Sequence, residues 1–228
     1  MEFLHAVIVL SNFVIIPAIT YGSQLALGAL GVTLVYGILR FSNFAHGDTM
    51  AFGTMVAILF TWWFQSIGVS IAPLPTALLA LPIAIVLTAL LLLGTDRVVL
   101  RFYRKQKSAP VILLIVSLGI MFVYNGLVRF IIGVGDQRFS DGSRFIISAR
   151  DFKKLTGLDE GLAIKTTQVI TVITAVMVVA LLFWFLNRTR TGKSMRAFSD
   201  NEDLALLSGI NPERVVLYTW LIVAALAT

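Results

Sequence analysis

Residues 49–95 read TMAFGTMVAILFTWWFQSIGVSIAPLPTALLALPIAIVLTALLLLGT, 47 positions without an Asp, Glu, Lys or Arg. A membrane-crossing helix needs about 20 apolar residues, so this stretch holds two. Gly68, Pro73 and Pro75 mark the turn between them, at 66–75. The first span ends on Trp62-Trp63, a pair suited to a membrane–water interface. Pro82 falls inside the second and predicts a kink there. Strands crossing a membrane would alternate in hydrophobicity, and these runs do not. The fold class that follows is all-α: a polytopic transmembrane helical bundle, one domain over residues 1–228.

The rest of the chain agrees. It is 58% hydrophobic and 13% charged, against about 25% charged in soluble domains. Residues 3–21 are apolar but interrupted by His5, Asn12 and Pro17, and read as a short span or as a helix partly in the interface. A separate run at 25–39 follows. Gly22, Gly28, Gly31 and Gly37 on or beside it predict close helix packing. Further spans are expected at 109–130, with Asn125 and Arg129 near its far end, and at 166–186. A last run at 215–228 has 14 residues, too few to cross comfortably, so the chain is expected to be a truncated version of something longer. The first residues lack the cations of a signal peptide, and a retained N-terminus is expected. Cysteine is absent, which removes disulfides and thiolate metal sites. No metal site and no nucleic-acid partner are expected. The net charge of +6 is read as topology.

The basic loop 96–107 carries Arg97, Arg101, Arg104, Lys105 and Lys107 against Asp96 alone, a net of +4. The positive-inside rule places it in the cytoplasm. Alternation then puts 40–48 and 187–214 on the cytoplasmic side. The same parity puts 66–75 and 133–165, whose net charge is only +1, outside.

Residues 187–214 are too patterned for a plain connector. Ser199 followed by Glu202 forms a capping box that predicts a helix starting near Asp200. Leu204, Leu207 and Leu206 give that helix an apolar side. Gly209 stands where a left-handed terminal residue is wanted. Asn211-Pro212 restarts a helix as cap and first residue. An exposed apolar side asks for a partner protein, or for the membrane surface. Gly192-Lys193-Ser194 resembles the end of a phosphate-binding loop, but the glycine required five residues earlier is Asn187 and no strand precedes it. Nucleotide binding by this chain is therefore not expected, and any ATP is used by partners.

A second motif, Ser42-Asn43-Phe44-Ala45-His46-Gly47-Asp48, packs polar side chains between two spans. Asn43 or Asp48 can cap the following helix. Alternatively Asn43, His46, Asp48 and Asn125 line the inner mouth of a pathway, where free backbone groups meet solute or water. The spans themselves contain no carboxylate or Lys, which lowers the prior for an ion-coupled carrier. It favours a passive channel or a pore powered from outside the membrane.

Val35-Tyr36-Gly37-Ile38, Asn43 to Asp48, Arg190-Thr191-Gly192-Lys193-Ser194-Met195-Arg196-Ala197 and Leu207-Ser208-Gly209-Ile210-Asn211 resemble, in order and separation, the permease subunits of branched-chain amino acid ABC transporters. The similarity runs from about Gly22 to Thr228, roughly the first three quarters of such a permease. The resemblance implies a bacterial inner-membrane importer of leucine, isoleucine, valine or a related solute, urea permeases being close relatives. It implies a second permease chain, two ATP-binding subunits and a periplasmic or extracellular solute-binding protein. This chain would bind no cofactor and catalyse no bond chemistry. Its ATPase-coupling segment would be Arg190, Gly192, Lys193, Arg196, Ala197, Asp200, Leu204, Ala205, Leu207 and Gly209, with Leu204 and Leu207 as anchors. A passive channel for a small neutral solute and a structural assembly subunit are the alternatives.

Overall fold

The computed structural model describes residues 2–69, 75–135, 137, 145–156 and 161–228. Pro73, which marks the 66–75 turn, and residues 136, 138–144 and 157–160, part of the charge count of 133–165, lie outside them. The chain divides into two compact units, Met1–Leu27 with Ser140–Leu182, and Gly28–Phe139 with Phe183–Thr228.

The N-terminal region departs from the two separate segments expected. Helix α1 (Glu2–Leu10) passes through a π-turn (Ser11–Ile15) into α2 (Ile16–Leu39) without a break. Proline in a helix clashes with the carbonyl four residues back. For Pro17 that residue is Phe13, inside the π-turn. There the wider i→i+5 bonding, here Ile16 N–H to the Ser11 carbonyl, makes room for the ring. In this first unit, Asn12 bonds at both ends of its amide. It donates to the Gly161 carbonyl at 2.7 Å and accepts from Ala163 N–H at 3.0 Å, so its role is to pin a backbone segment. The same unit holds a two-stranded antiparallel ribbon, β1 (Phe145–Ile147) and β2 (Ile164–Lys165), which the sequence reading did not foresee. Between the strands lies the short helix α7 (Ala149–Thr156).

The second unit carries the long helices α3 (His46–Ser66), α4 (Ala77–Thr95) and α6 (Pro110–Ile132), and the final α11 (Pro212–Ala227). The expected basic loop is mostly helix. After α4, which runs through Pro82, a π-turn (Asp96–Leu100) and α5 (Arg101–Lys105) continue the rod, and only 106–109 turn. Helix α8 (Thr166–Arg188) leads into α9 (Arg190–Asp200) and α10 (Glu202–Leu207).

Among the described residues, four helical stretches are long and apolar enough to cross a membrane: His5–Leu39, Ala77–Lys105, Pro110–Ile132 and Thr166–Arg188. Helix α3 forms where a span was expected and has the length, but it falls outside those four. It packs against α4, α6 and α11, and a helix sheltered by neighbours can keep polar residues such as Thr49 and Thr61, both fully buried. The chain is a multi-pass, all-α membrane bundle.

Two of the four expected glycine contacts are present. A Cβ at Gly28 would meet Met50 at 3.1 Å, and one at Gly31 would meet His46 Nε2 at 2.6 Å. Gly22 has open space, and Gly37 only an ordinary contact with Ser199. Gly31→Val is therefore expected to lower the melting temperature in detergent, since overpacking a tight contact costs about 1–3 kcal/mol. Adding His46→Ala should recover most of the loss. A Gly31→Val protein that melts like the parent would mean that α2 and α3 are not held this closely.

Candidate functional site

Two features of the second unit assemble the sequence-selected residues. The first is the turn between α2 and α3. Arg40 ends α2 in the left-handed region at φ 56°, a conformation costing roughly 1–2 kcal/mol for a residue with a Cβ. Its guanidinium donates to the Ser199 carbonyl, and the Ser199 hydroxyl donates to the Gly37 carbonyl at 2.8 Å. Ser117 of α6 supports the turn's backbone by accepting from Phe44 N–H at 3.1 Å, its own proton going to the Leu114 carbonyl at 2.7 Å with the Ser42 carbonyl at 3.4 Å. Asn43 is buried, and its Oδ1 accepts from Ala45 N–H at 3.2 Å. In this position Asn43 shapes the turn.

His46 is 3% exposed, and neither ring nitrogen has a hydrogen-bond partner. Asp48, in the first turn of α3, does not cap the helix; its Oδ1 accepts from Asn125 Nδ2 at 2.9 Å. Of the four residues expected at a pathway mouth, Asp48 and Asn125 meet, while Asn43 and His46 turn to packing.

Asn125 opens onto a polar belt that the sequence reading missed. Its neighbour Tyr124 shares a 2.6 Å hydrogen bond with Thr95 at the end of α4. The next residue, Asp96, is 6% exposed. It pairs with Arg104 through both carboxylate oxygens, the Nη2–Oδ2 contact being 3.1 Å, and accepts from Trp220 Nε1 at 2.8 Å. Asp48, Asn125, Tyr124, Thr95, Asp96 and Trp220 thus tie α3, α6, α4 and α11 together at one level. Two carboxylates that bounded the apolar runs in sequence are drawn into the packed bundle. A buried carboxylate is costly unless paired; Asp96 is buried and ion-paired, while Asp48 is half-buried and accepts the Asn125 amide. The available signal was Asp96 itself, one acid ending a 47-residue uncharged stretch.

The second feature is the pair α9–α10. Here the expected capping box is corrected. Ser199 lies within α9, its hydroxyl already given to Gly37. The helix that starts after it, α10, is capped by Asn201, whose Oδ1 accepts from Leu204 N–H at 3.0 Å. Helix α9, not foreseen, is capped by Thr189, which accepts from Gly192 N–H at 3.0 Å. Gly192-Lys193-Ser194 are therefore helical. Gly192 is where α9 touches the end of α8: a Cβ there would meet the Phe185 carbonyl and, at 2.6 Å, Leu186 Cα.

Met195, Phe198 and Ala205 are buried in the main core, with Gly192 beside them. Arg190, Lys193, Arg196, Ala197 and Asp200 are exposed on α9, with Arg196 Nη1 donating to Asn187 Oδ1 at 2.9 Å. On α10, Leu204 is 61% and Leu207 85% exposed, with Leu206 also outside. Gly209 ends α10 at φ 80° as expected. Gly209 N–H bonds the Leu206 carbonyl and Ile210 N–H the Ala205 carbonyl, each at 3.0 Å, which is the Schellman pattern. Asn211 then caps α11, accepting from Glu213 and Arg214 N–H, with Pro212 first, as expected. The result is a rigid elbow, rooted in the core by one face and offering three leucines on the other.

A family profile described as the branched-chain amino acid transport system permease component matches residues 14–228. The chain is similar to the high-affinity branched-chain amino acid transport system permease protein LivH of Salmonella typhimurium, 29% identical over 212 residues, covering 92% of this chain and 65% of that protein. LivH of Escherichia coli is 30% identical over 213 residues, with the same coverage of both chains. BraD of Pseudomonas aeruginosa, with the same description, is 28% identical over 214 residues, covering 93% and 67%. The chain thus spans about two thirds of the length of these relatives, somewhat less than the three quarters expected. No solved structure matches it.

Proposed function

We propose, from the premise that this chain belongs to the branched-chain amino acid transport system permease family, that it forms half of the transmembrane pathway of an ATP-driven importer. The solutes are branched-chain or related hydrophobic amino acids, the class named for its relatives. A second permease chain supplies the other half. Two ATP-binding subunits hold and hydrolyse ATP, and this chain binds no cofactor. A periplasmic or extracellular solute-binding protein delivers the solute, and the setting is the bacterial inner (plasma) membrane. Residues 40–48, 95–108 and 187–214 face the cytoplasm, and 133–165 the outside.

The observation that carries this reading is the exposed leucine face of α10 on its rooted elbow. Leu204 and Leu207 anchor in a groove of an ATP-binding subunit, and Arg190, Lys193 and Arg196 make polar contacts at the rim. ATP can bias the pathway only by contacts that differ between its two states. A rigid elbow transmits such a difference better than a loop. The route inward is the Ser199 and Arg40 contact with the α2–α3 turn, then Asp48 and Asn125 in the belt. Those two half-buried groups are the polar contacts offered to solute and water.

The test is uptake into proteoliposomes holding the full-length protein with its partners. Accumulation of labelled leucine against a gradient, only with ATP inside the reach of the ATP-binding subunits, is expected. Equilibration without ATP would make the chain a passive channel. Gly209→Val forces a branched side chain into the left-handed region, where only Gly and, less readily, Asn fit. At equal membrane level it should cut ATP-driven uptake by about tenfold or more, a factor worth about 1.4 kcal/mol. Gly209→Asn should keep most of it. Full uptake by the valine variant would remove the turn from the mechanism.

A further inference from the structure

Between the α4–α5 rod and the start of α11 lies a cleft of about 240 Å³. The rod lines it with Leu93, Asp96, Arg97 and Arg101, and α11 with Glu213, Arg214 and Leu217. Asp96 is held by Arg104 and Trp220, and Glu213 by Arg101 at 3.2 Å. Arg97 and Arg214, both exposed, have no carboxylate partner among the described residues. The cleft therefore presents two uncompensated guanidinium groups.

It is also graded along the helices. Arg101, Glu213 and Arg214 sit toward the ends of the two helices. Arg97 lies one turn further in, and Leu93 and Leu217 beyond. The neighbouring surface of the rod is bare and apolar, with Val98 80% and Phe102 57% exposed. A site for a soluble anion would be polar throughout. This one is cationic at the helix ends, apolar toward the span, and flanked by side chains suited to acyl chains. Arginine suits phosphate, offering paired donors in a fixed fork. Basic pockets between membrane helices accept anionic headgroups for the same reason.

We propose that this cleft binds the phosphate headgroup of an anionic phospholipid, with Arg97 and Arg214 on the phosphate and the acyl chain over Leu93 and Leu217. The site requires only that α4 and α11 lie in a bilayer. It does not rest on the transport reading, so the two stand or fall separately.

The test is native mass spectrometry of the full-length protein, extracted from vesicles of phosphatidylethanolamine with or without phosphatidylglycerol. The parent should retain one phosphatidylglycerol at an occupancy that Arg97→Gln with Arg214→Gln lowers. The expected loss in affinity is about thirtyfold, which at about 1.4 kcal/mol per tenfold matches two surface cations at about 1 kcal/mol each. The double lysine variant, keeping both charges, should retain most of the binding. A melting scan without phosphatidylglycerol should be the same for all three proteins. Inorganic phosphate at millimolar concentration should not displace the lipid. Equal displacement by phosphate would make this a soluble-anion site and overturn the proposal. So would unchanged lipid retention in the glutamine variant together with loss of the ATP-binding subunits, which would assign the arginines to a protein interface.

Discussion

Replacing Leu204 and Leu207 together by serine is expected to detach the ATP-binding subunits while leaving the bundle folded. Both side chains are largely exposed, at 61% and 85%, so the isolated chain loses little. A partner groove that covers them loses about 1.5–3 kcal/mol of apolar burial for each leucine. At about 1.4 kcal/mol per tenfold, the pair should weaken association by about a hundredfold or more. Co-purification in mild detergent reads this directly, with a melting scan to check the fold. The buried neighbour Ala205 offers the contrast: Ala205→Leu should disturb the core and lower the melting temperature first. If the serine protein still carries its full complement of ATP-binding subunit, the elbow is not the docking element.

The second large effect is expected at Asp96. Truncating it to alanine leaves the Arg104 guanidinium facing the interior without its carboxylate and the Trp220 indole N–H without an acceptor. Breaking a buried ion pair from one side costs about 3–5 kcal/mol. Arg104 is 18% exposed and keeps some water, so the lower end, about 3 kcal/mol, applies. Asp96→Asn, which still accepts from Trp220, should cost less. Asp96→Ala with Arg104→Ala should cost less than the sum of the two single changes, because the stranded cation is gone. Thermal unfolding in detergent compares the four proteins. An alanine variant that melts with the parent would mean the belt does not hold α4 to α11.

The division between what was legible and what was not follows the range of each interaction. The apolar runs from α3 onward and the signals at Gly209 and Asn211-Pro212 are local, decided within a few residues, and each forms helix or turn where the sequence puts it. The Ser199 capping box failed because its hydroxyl is claimed by Gly37, 162 positions away, leaving Asn201 to cap. Helix α9 was unreadable for another reason. Its segment, Arg190 to Asp200, has only Met195 and Phe198 as large apolar residues, and its glycine is explained only by contact with α8. Asp96 reads as one more loop charge until Trp220, 124 positions on, and Arg104 are folded against it. Asn43 and His46 were grouped with Asp48 by proximity in sequence, yet a turn sends such neighbours in different directions.

The π-turn at Asp96–Leu100 carries a consequence for how this molecule tolerates change. Its Arg101 N–H bonds the Asp96 carbonyl, five residues back, so the turn stores one residue more than regular winding would. Each residue of an α-helix rotates the side chains by roughly 100°. The surplus residue is a phase setting, aligning α4, which packs against both α3 and α11, with the following turn that carries Arg101 and Arg104. Insertions and deletions there would act as phase errors, sweeping Arg104 away from its acid and the cleft arginines away from their wall. Spacing at this point therefore constrains the chain more tightly than the identity of Val98 or Val99 does.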